Sequence, residues 1–154
     1  MKKRLILLGL IGILAGCGGK GQNSLMITVD SQYAVPKTIS TFSTAIAKKG
    51  YTLTSRIDHT QRAKAENIYL KPTTGLILDN PKVFSALLTC NPSLAIDLPI
   101  RISVYTLLGG EVKLAYTQPE YWSLKHNIKD KNCIAVIQQI ARDFDEAVEV
   151  IAAP

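Results

Sequence analysis

The residues of this 154-residue chain that could most readily carry chemistry are two histidines and three cysteines. His59 follows Asp58, and an adjacent carboxylate could orient an imidazole for acid/base work. Asp58 also precedes Gln61 by three residues, which is typical of a capping box, and neighbours in a first helical turn do not face each other. We therefore expect Asp58 to cap a helix rather than to serve His59.

A metal or redox site is the alternative functional reading. Its ligands would come from four residues: His59, His126, Cys90 and Cys133. They show neither Cys-x-x-Cys nor His-x-x-x-His spacing, so we expect no bound metal and no cofactor. In an oxidising compartment Cys90 and Cys133 could instead form a disulfide, which we favour over two separate buried thiols.

The sequence contains no motif typical of a hydrolase. Serines are plentiful, but there is no Gly-x-Ser-x-Gly elbow, and the mature domain has no glycine-rich phosphate loop. We therefore expect no hydrolase triad and lean toward a protein that is not an enzyme.

Asp97 is a carboxylate in the apolar run Ile96-Asp97-Leu98-Pro99-Ile100. Such a group is either buried and perturbed, as in some functional sites, or hydrogen-bonded to local backbone at a strand start. We prefer the local role. An enzyme built around Asp97, His59 and Tyr116 is a further hypothesis, and it requires those side chains to converge on one cleft.

Two β strands joined by Gly109-Gly110 give the best hint of a binding surface. A Gly-Gly pair between branched and aromatic runs is typical of a two-residue hairpin turn. With that turn, one face carries Tyr105, Leu107, Val112, Leu114 and Tyr116, and the other carries Ile100, Ile102, Val104 and Ala115. A sheet needs only one apolar face for its core, so the second could line a cavity, contact a helix or pair with another copy. A bulge would change these faces. Our candidate binding residues are His59, Asp97, Tyr105 and Tyr116.

The N-terminus has the architecture of an export signal. Met1-Lys2-Lys3-Arg4 is basic, residues 5–14 are apolar, and Ala15-Gly16 are small. Cys17 after Leu-Ala-Gly resembles a bacterial lipobox, whose cysteine is lipidated and becomes the first residue after cleavage. The apolar run is shorter than the ~20 residues of a transmembrane helix, and the other reading is an ordinary cleaved signal with Cys17 a bystander.

We therefore predict a signal peptide over residues 1–16, a lipidated tether over residues 17–24 and a folded domain over residues 25–154. Gly18 in place of aspartate favours, by the same resemblance, the outer membrane facing the periplasm. Removing three basic residues with the signal lowers the formal net charge from +6 to +3. No basic cluster remains to follow phosphates, so we expect no nucleic-acid partner.

Helical and strand periodicities alternate along the domain. Alternation predicts strands over residues 25–31 and 51–57, and branched residues predict strands over 68–71, 75–79, 98–107 and 111–117. Helical spacing predicts a helix from Val35, ended by Gly50, one after the Asn80-Pro81 cap, and a long C-terminal helix from Cys133 to Ile151. A short helix follows Asp58. The order predicts an α+β fold of the type β-α-β-β-β-β-β-α, an antiparallel sheet curled around the last helix.

Several segments resemble the domain of unknown function 302 family. They are Asp58-His59, Ala63, Lys71-Pro72-Thr73-Thr74, Leu76 to Lys82, Asn91 to Arg101 and Ala115 to Tyr121. The resemblance runs from about Thr28 to the last helix. It implies a small α+β domain related to TATA-box-binding-protein-like folds and implies no reaction.

The sequence thus predicts a membrane-anchored envelope lipoprotein with a binding domain that is not catalytic. Its partner would be another envelope protein, a second copy in a homodimer or a small apolar ligand. Its contact with the membrane would be the lipid on Cys17.

Overall fold

The computed structural model describes residues 25–152. The predicted signal peptide, Cys17 and the tether lie outside the described residues. Within that range every helix is too short or too polar to span a bilayer.

Five antiparallel strands form one open sheet in the order β1-β5-β4-β3-β2. The strands are β1 (Met26–Ser31), β2 (Thr52–Asp58), β3 (Thr73–Asp79), β4 (Ile100–Thr106) and β5 (Val112–Thr117). Buried and more exposed residues alternate along β3 and β4, so that one face of the sheet belongs to the core. The α+β class and the antiparallel sheet agree with the sequence prediction.

Three of the helices pack on one face of the sheet. They are α1 (Val35–Ala47), α3 (Pro81–Cys90) and α5 (Lys131–Glu149), and α5 contacts both of the others. Proline in the first turn starts α1 and α3, and the Asn80 side chain accepts a hydrogen bond from the Val83 N–H at 3.2 Å. The short helix α2 (His59–Ala65) contacts β3, and α4 (Tyr121–Lys125) contacts α5.

The core is centred on Phe144 of α5, whose side chain is fully buried. Its ring lies 4.9 Å from that of Tyr116 in β5, 5.6 Å from that of Tyr51 and 6.1 Å from that of Phe42 in α1. One side chain of α5 therefore contacts β5, α1 and the residue that directly precedes β2.

The cysteine prediction holds, because Cys90 and Cys133 form a disulfide with Cα atoms 6.2 Å apart. The bond joins the last residue of α3 to the first turn of α5. It also fixes the start of the segment that follows α3, the short 3₁₀ helix Pro92–Ile96.

The predicted strand over residues 68–71 is wrong. Ile68, Tyr69 and Leu70 are exposed and lie outside the sheet. Both edges of β3 are already paired, one with β2 and the other with β4, so a hairpin partner before β3 has no free edge.

The hairpin between β4 and β5 also differs from the prediction. The Leu107 N–H donates to the Glu111 carbonyl at 2.8 Å, and Gly110 has φ +101°, so the turn is the three-residue segment Leu108-Gly109-Gly110. Thr106 consequently pairs with Val112 and Ile102 with Tyr116. One extra turn residue shifts the register by one and exchanges the faces of β5.

Candidate functional site

A pocket of about 510 Å³ lies on the sheet face opposite α1, α3 and α5. Its floor is a row of small residues that follow one another across three strands: Gly75 pairs with Ser103, and Ser103 pairs with Ala115. We call these three residues the small-residue row. Because none of them has a side chain larger than a hydroxymethyl group, the sheet is concave at its centre.

The walls combine apolar and polar side chains. The apolar ones include Met26, Ile57 and Ile77, and the polar ones are His59, Arg101, Tyr105 and Thr117. No acidic residue lines the pocket. The nearby ammonium group of Lys113 on β5 is paired with the Asp30 carboxylate on β1, whereas the Arg101 guanidinium has no ion pair or hydrogen bond with the described part of the chain. The arrangement provides an apolar floor with one available cation.

His59 reaches this pocket from the first position of α2. Its Nε2 atom lies only 3.1 Å from the position that a Cβ atom would take on Gly75. A side chain at position 75 would therefore push the imidazole away. The Asp58 carboxylate accepts a hydrogen bond from the Gln61 N–H at 2.9 Å, which confirms that Asp58 caps α2.

Tyr105 and Tyr116 lie on opposite faces of the sheet, contrary to the prediction that they share one. Tyr105 lines the pocket, whereas the Tyr116 ring packs on Phe144 in the core and is 2% exposed. Burial raises the pKa of the Tyr116 phenol, whose oxygen has no hydrogen-bond partner among residues 25–152. The face shared by Ile100, Ile102, Val104, Val112, Leu114 and Tyr116 is the core face, so the hairpin has no surplus apolar face.

Asp97 lies away from this pocket, directly after the 3₁₀ helix. One oxygen of its side chain accepts a hydrogen bond from the ammonium of Lys125, the last residue of α4, at 2.7 Å. The other lies 2.6 Å from Nε2 of His126, the C-cap residue of α4. The predicted role in bonding local backbone is therefore wrong. Burial raises the pKa of the Asp97 carboxyl, but the bonds from Lys125 and His126 outweigh burial and hold it below its usual value.

The other nitrogen of the same imidazole contacts a serine. His126 Nδ1 lies 2.6 Å from Ser93 Oγ, and the His126 side chain is 5% exposed. Ser93, His126 and Asp97 are thus brought together, although the sequence predicted no such triad. The postulated cleft of Asp97, His59 and Tyr116 does not form, because these three side chains lie in three different places.

The postulated metal or redox ligands are also separated. Cys90 and Cys133 form a disulfide, and His126 is hydrogen-bonded to Asp97. His59 lies over Gly75 in the sheet-face pocket. The four residues do not form one site.

Comparison with known proteins identifies the family. A family model described as "Domain of unknown function DUF302" matches residues 27–151. The chain belongs to this family. A crystal structure of an uncharacterized conserved DUF302 protein from Bacillus stearothermophilus superposes with a TM-score of 0.74 at 18% identity, covering 82% of this chain and 98% of the other. At that identity the likeness establishes the fold alone.

Curated proteins that contain a similar domain are longer. The chain is 27% identical over 114 residues to fluoride-specific ion channel FluC 1 of Brucella suis, a match that covers 74% of this chain and 45% of the relative. FluC 1 of Brucella abortus matches at the same identity over 42% of its length. The DUF302 chain therefore spans less than half of the length of these relatives.

The sequence had singled out His59, Asp97 and Tyr105 of the DUF302 domain but missed the residues that surround them. The small-residue row could have been found by aligning the outward positions of β3, β4 and β5, had the turn length been known. Ser93 carries a weaker signal. It follows the helix-starting Pro92, but its spacing from Asp97 does not indicate that the two side chains meet, because side chains three positions apart, not four, share a face of a 3₁₀ helix.

Proposed function

We propose that this protein is a membrane-anchored envelope lipoprotein whose DUF302 domain binds a small ligand with an apolar body and an anionic group. The observation that carries the proposal is the pocket over the small-residue row. Its volume of about 510 Å³ falls in the range of small-molecule sites, which are concave, mostly apolar and supplied with a few polar groups.

The charged residues that line the pocket indicate the sign of the ligand's charge. Arg101 is the guanidinium at the pocket, and no carboxylate lies there to neutralise it. A guanidinium bonds a carboxylate, sulfonate or phosphate through two parallel N–H groups, which gives both attraction and orientation. Tyr105 and His59 add polar groups at the wall, while Ile57 and Ile77 provide apolar contact.

A small ligand fits the pocket better than a protein partner or a second copy. The interaction hypothesis depended on a second, surplus apolar face of the hairpin, and in the structure the apolar residues of the two strands share one face, which is the core face. The metal- or redox-linked alternative loses its basis as well, because the two cysteines are bonded to each other.

Two observations support the membrane location. The Leu-Ala-Gly-Cys17 sequence follows a basic and then apolar N-terminus. The Brucella relatives are named as ion channels, and a channel acts in a membrane. We do not propose channel activity for this chain. We propose only that it is associated with a membrane.

We expect a pair of dyes to test the pocket. Anilinonaphthalene sulfonate has an apolar body and a sulfonate, and N-phenylnaphthylamine has the same body without the charge. Arg101→Gln should weaken binding of the sulfonate by about tenfold or more, because a charge-assisted bond contributes ~1.5–3 kcal/mol, and should leave the neutral dye unchanged. Fluorescence titration of the folded protein measures both affinities.

Two further variants sharpen this titration. Lys113→Gln removes a cation from the same sheet face without touching the pocket lining and should change neither affinity. Ser103→Leu fills the small-residue row and should abolish binding of both dyes. Equal binding of the sulfonate by the wild type and Arg101→Gln, with circular dichroism showing intact folds, would rule out the anionic ligand.

Lipidation can be tested separately in a bacterium with two membranes. Cells that express the full chain are fed an alkynyl palmitate, and we expect label on the wild-type protein in the membrane fraction. Cys17→Ala should lose the label, and the double variant Cys90→Ala/Cys133→Ala should keep it. Unlabelled wild-type protein in the soluble fraction would contradict the anchor.

A further inference from the structure

We propose that Ser93, His126 and Asp97 form a nucleophilic serine site that accepts the acyl group of a carboxylic ester and transfers it to water. The hydrogen-bond order supports this role. An ionised carboxylate only accepts, so the contact of 2.6 Å from His126 Nε2 to Asp97 Oδ2 places the ring proton on Nε2. In the neutral imidazole Nδ1 then has a free lone pair and accepts from the Ser93 hydroxyl, 2.6 Å away. Hydroxyl, imidazole and carboxylate stand in the order that activates a serine.

Further bonds hold each member in place. The Asn91 side chain accepts from the Ser93 N–H at 2.9 Å and donates to the His126 carbonyl at 2.7 Å, so one amide joins the serine segment to the histidine. Lys125 bonds the second oxygen of Asp97. The disulfide at Cys90 fixes the residue before Asn91. A nucleophile and base held in this way lose little entropy when they react.

Exposure also suits a nucleophile. Ser93 is exposed, while the side chains of His126 and Asp97 are only 5% and 17% exposed. A substrate can therefore reach the hydroxyl while the base is shielded from water.

The substrate class follows from the neighbouring side chains. Ile96 precedes Asp97 and is 70% exposed, and Leu124 precedes Lys125 and is 78% exposed. Large exposed apolar side chains within two residues of Asp97 and His126 in the chain favour an ester with a short apolar acyl chain.

The reaction balances with water as the only co-reactant. Ser93 Oγ forms a bond to the ester carbonyl carbon and gives its proton to His126 Nδ1. The bond from that carbon to the alcohol oxygen then breaks, and the leaving oxygen takes the proton from Nδ1. Water repeats the attack with the same base, which releases the carboxylic acid and restores Ser93.

Turnover should be slow. General base catalysis contributes ~10²–10⁴-fold. The Ser93 N–H is engaged by Asn91 Oδ1 and so does not stabilise an oxyanion. A stoichiometric reaction at Ser93 is accordingly a better first readout than steady-state activity.

The test uses a fluorophosphonate, which loses fluoride when an activated serine oxygen attacks its phosphorus. We expect intact-mass analysis of the folded full chain to show one adduct and peptide mapping to place it on Ser93. Ser93→Ala should abolish the adduct, and His126→Gln should slow its formation by about a hundredfold. Ser40→Ala removes an exposed serine of α1 that bonds the Lys37 carbonyl, and should react as the wild type does.

Three results would overturn the proposal. They are no adduct on the folded protein, adducts spread over many serines, and an unchanged rate in folded His126→Gln. If His126→Gln fails to fold, the comparison is made with wild-type protein unfolded in guanidinium chloride. In that unfolded protein Ser93 should react with the fluorophosphonate no faster than Ser40. This site is independent of the sheet-face pocket, so either proposal can fail alone.

Discussion

Replacing Phe144 with alanine is expected to lower the free energy of unfolding by about 3–5 kcal/mol, a large part of the stability of a domain of this size. The side chain is fully buried, and its ring contacts three other rings from different parts of the chain. Its removal leaves a cavity that the sheet and α1 cannot close without moving. Urea unfolding followed by circular dichroism measures the loss.

Leu108→Ala is the matched control for this experiment. Leu108 lies in the hairpin turn and is 89% exposed, so its truncation should change stability by less than ~0.5 kcal/mol. A loss of under 1 kcal/mol for Phe144→Ala would mean that the ring cluster is not the centre of the core.

Removing the disulfide is expected to cost about 4 kcal/mol. The two cysteines are separated by 43 positions in the sequence, and a loop of this length restricts the unfolded chain by that amount in the chain-entropy estimate. The double variant Cys90→Ala/Cys133→Ala should unfold at correspondingly lower urea concentration. Reduction of the wild-type protein should produce a loss of the same size.

The response to reductant distinguishes the stability lost with the disulfide from the stability lost by replacing the cysteine side chains. The double variant has no bond to lose, so its urea midpoint should be the same with and without reductant. A wild-type midpoint that reductant leaves unchanged would show that Cys90 and Cys133 are not bridged in the purified protein.

Local signals were enough to predict most of the helices. Pro36 and Pro81 mark helix starts in the sequence, and Gly50 marks a helix end, where its φ of +88° suits glycine. The apolar spacing from Cys133 onward predicted the long last helix that covers the sheet. These signals depend on neighbours within a turn or two and do not need the rest of the fold.

Long-range relations were harder to predict. The faces of β5 depended on whether two or three residues form the turn after Leu107, and a Gly-Gly pair is compatible with both. Nor did sequence spacing predict that His126 would meet Ser93 and Asp97. Their proximity results from the packing of α4 against α5 and of the 3₁₀ helix against α3.

The three-residue turn between β4 and β5 also limits how the sequence can drift during evolution. Because side chains alternate across a sheet, deleting one residue from Leu108-Gly109-Gly110 would move Leu114 and Tyr116 out of the core and bring Lys113 and Ala115 in. Substitutions at Leu108, which faces solvent, carry no such penalty. We therefore expect selection to act more strongly on the length of this turn than on the identity of most of its residues. Gly110 is the exception, because its φ is positive.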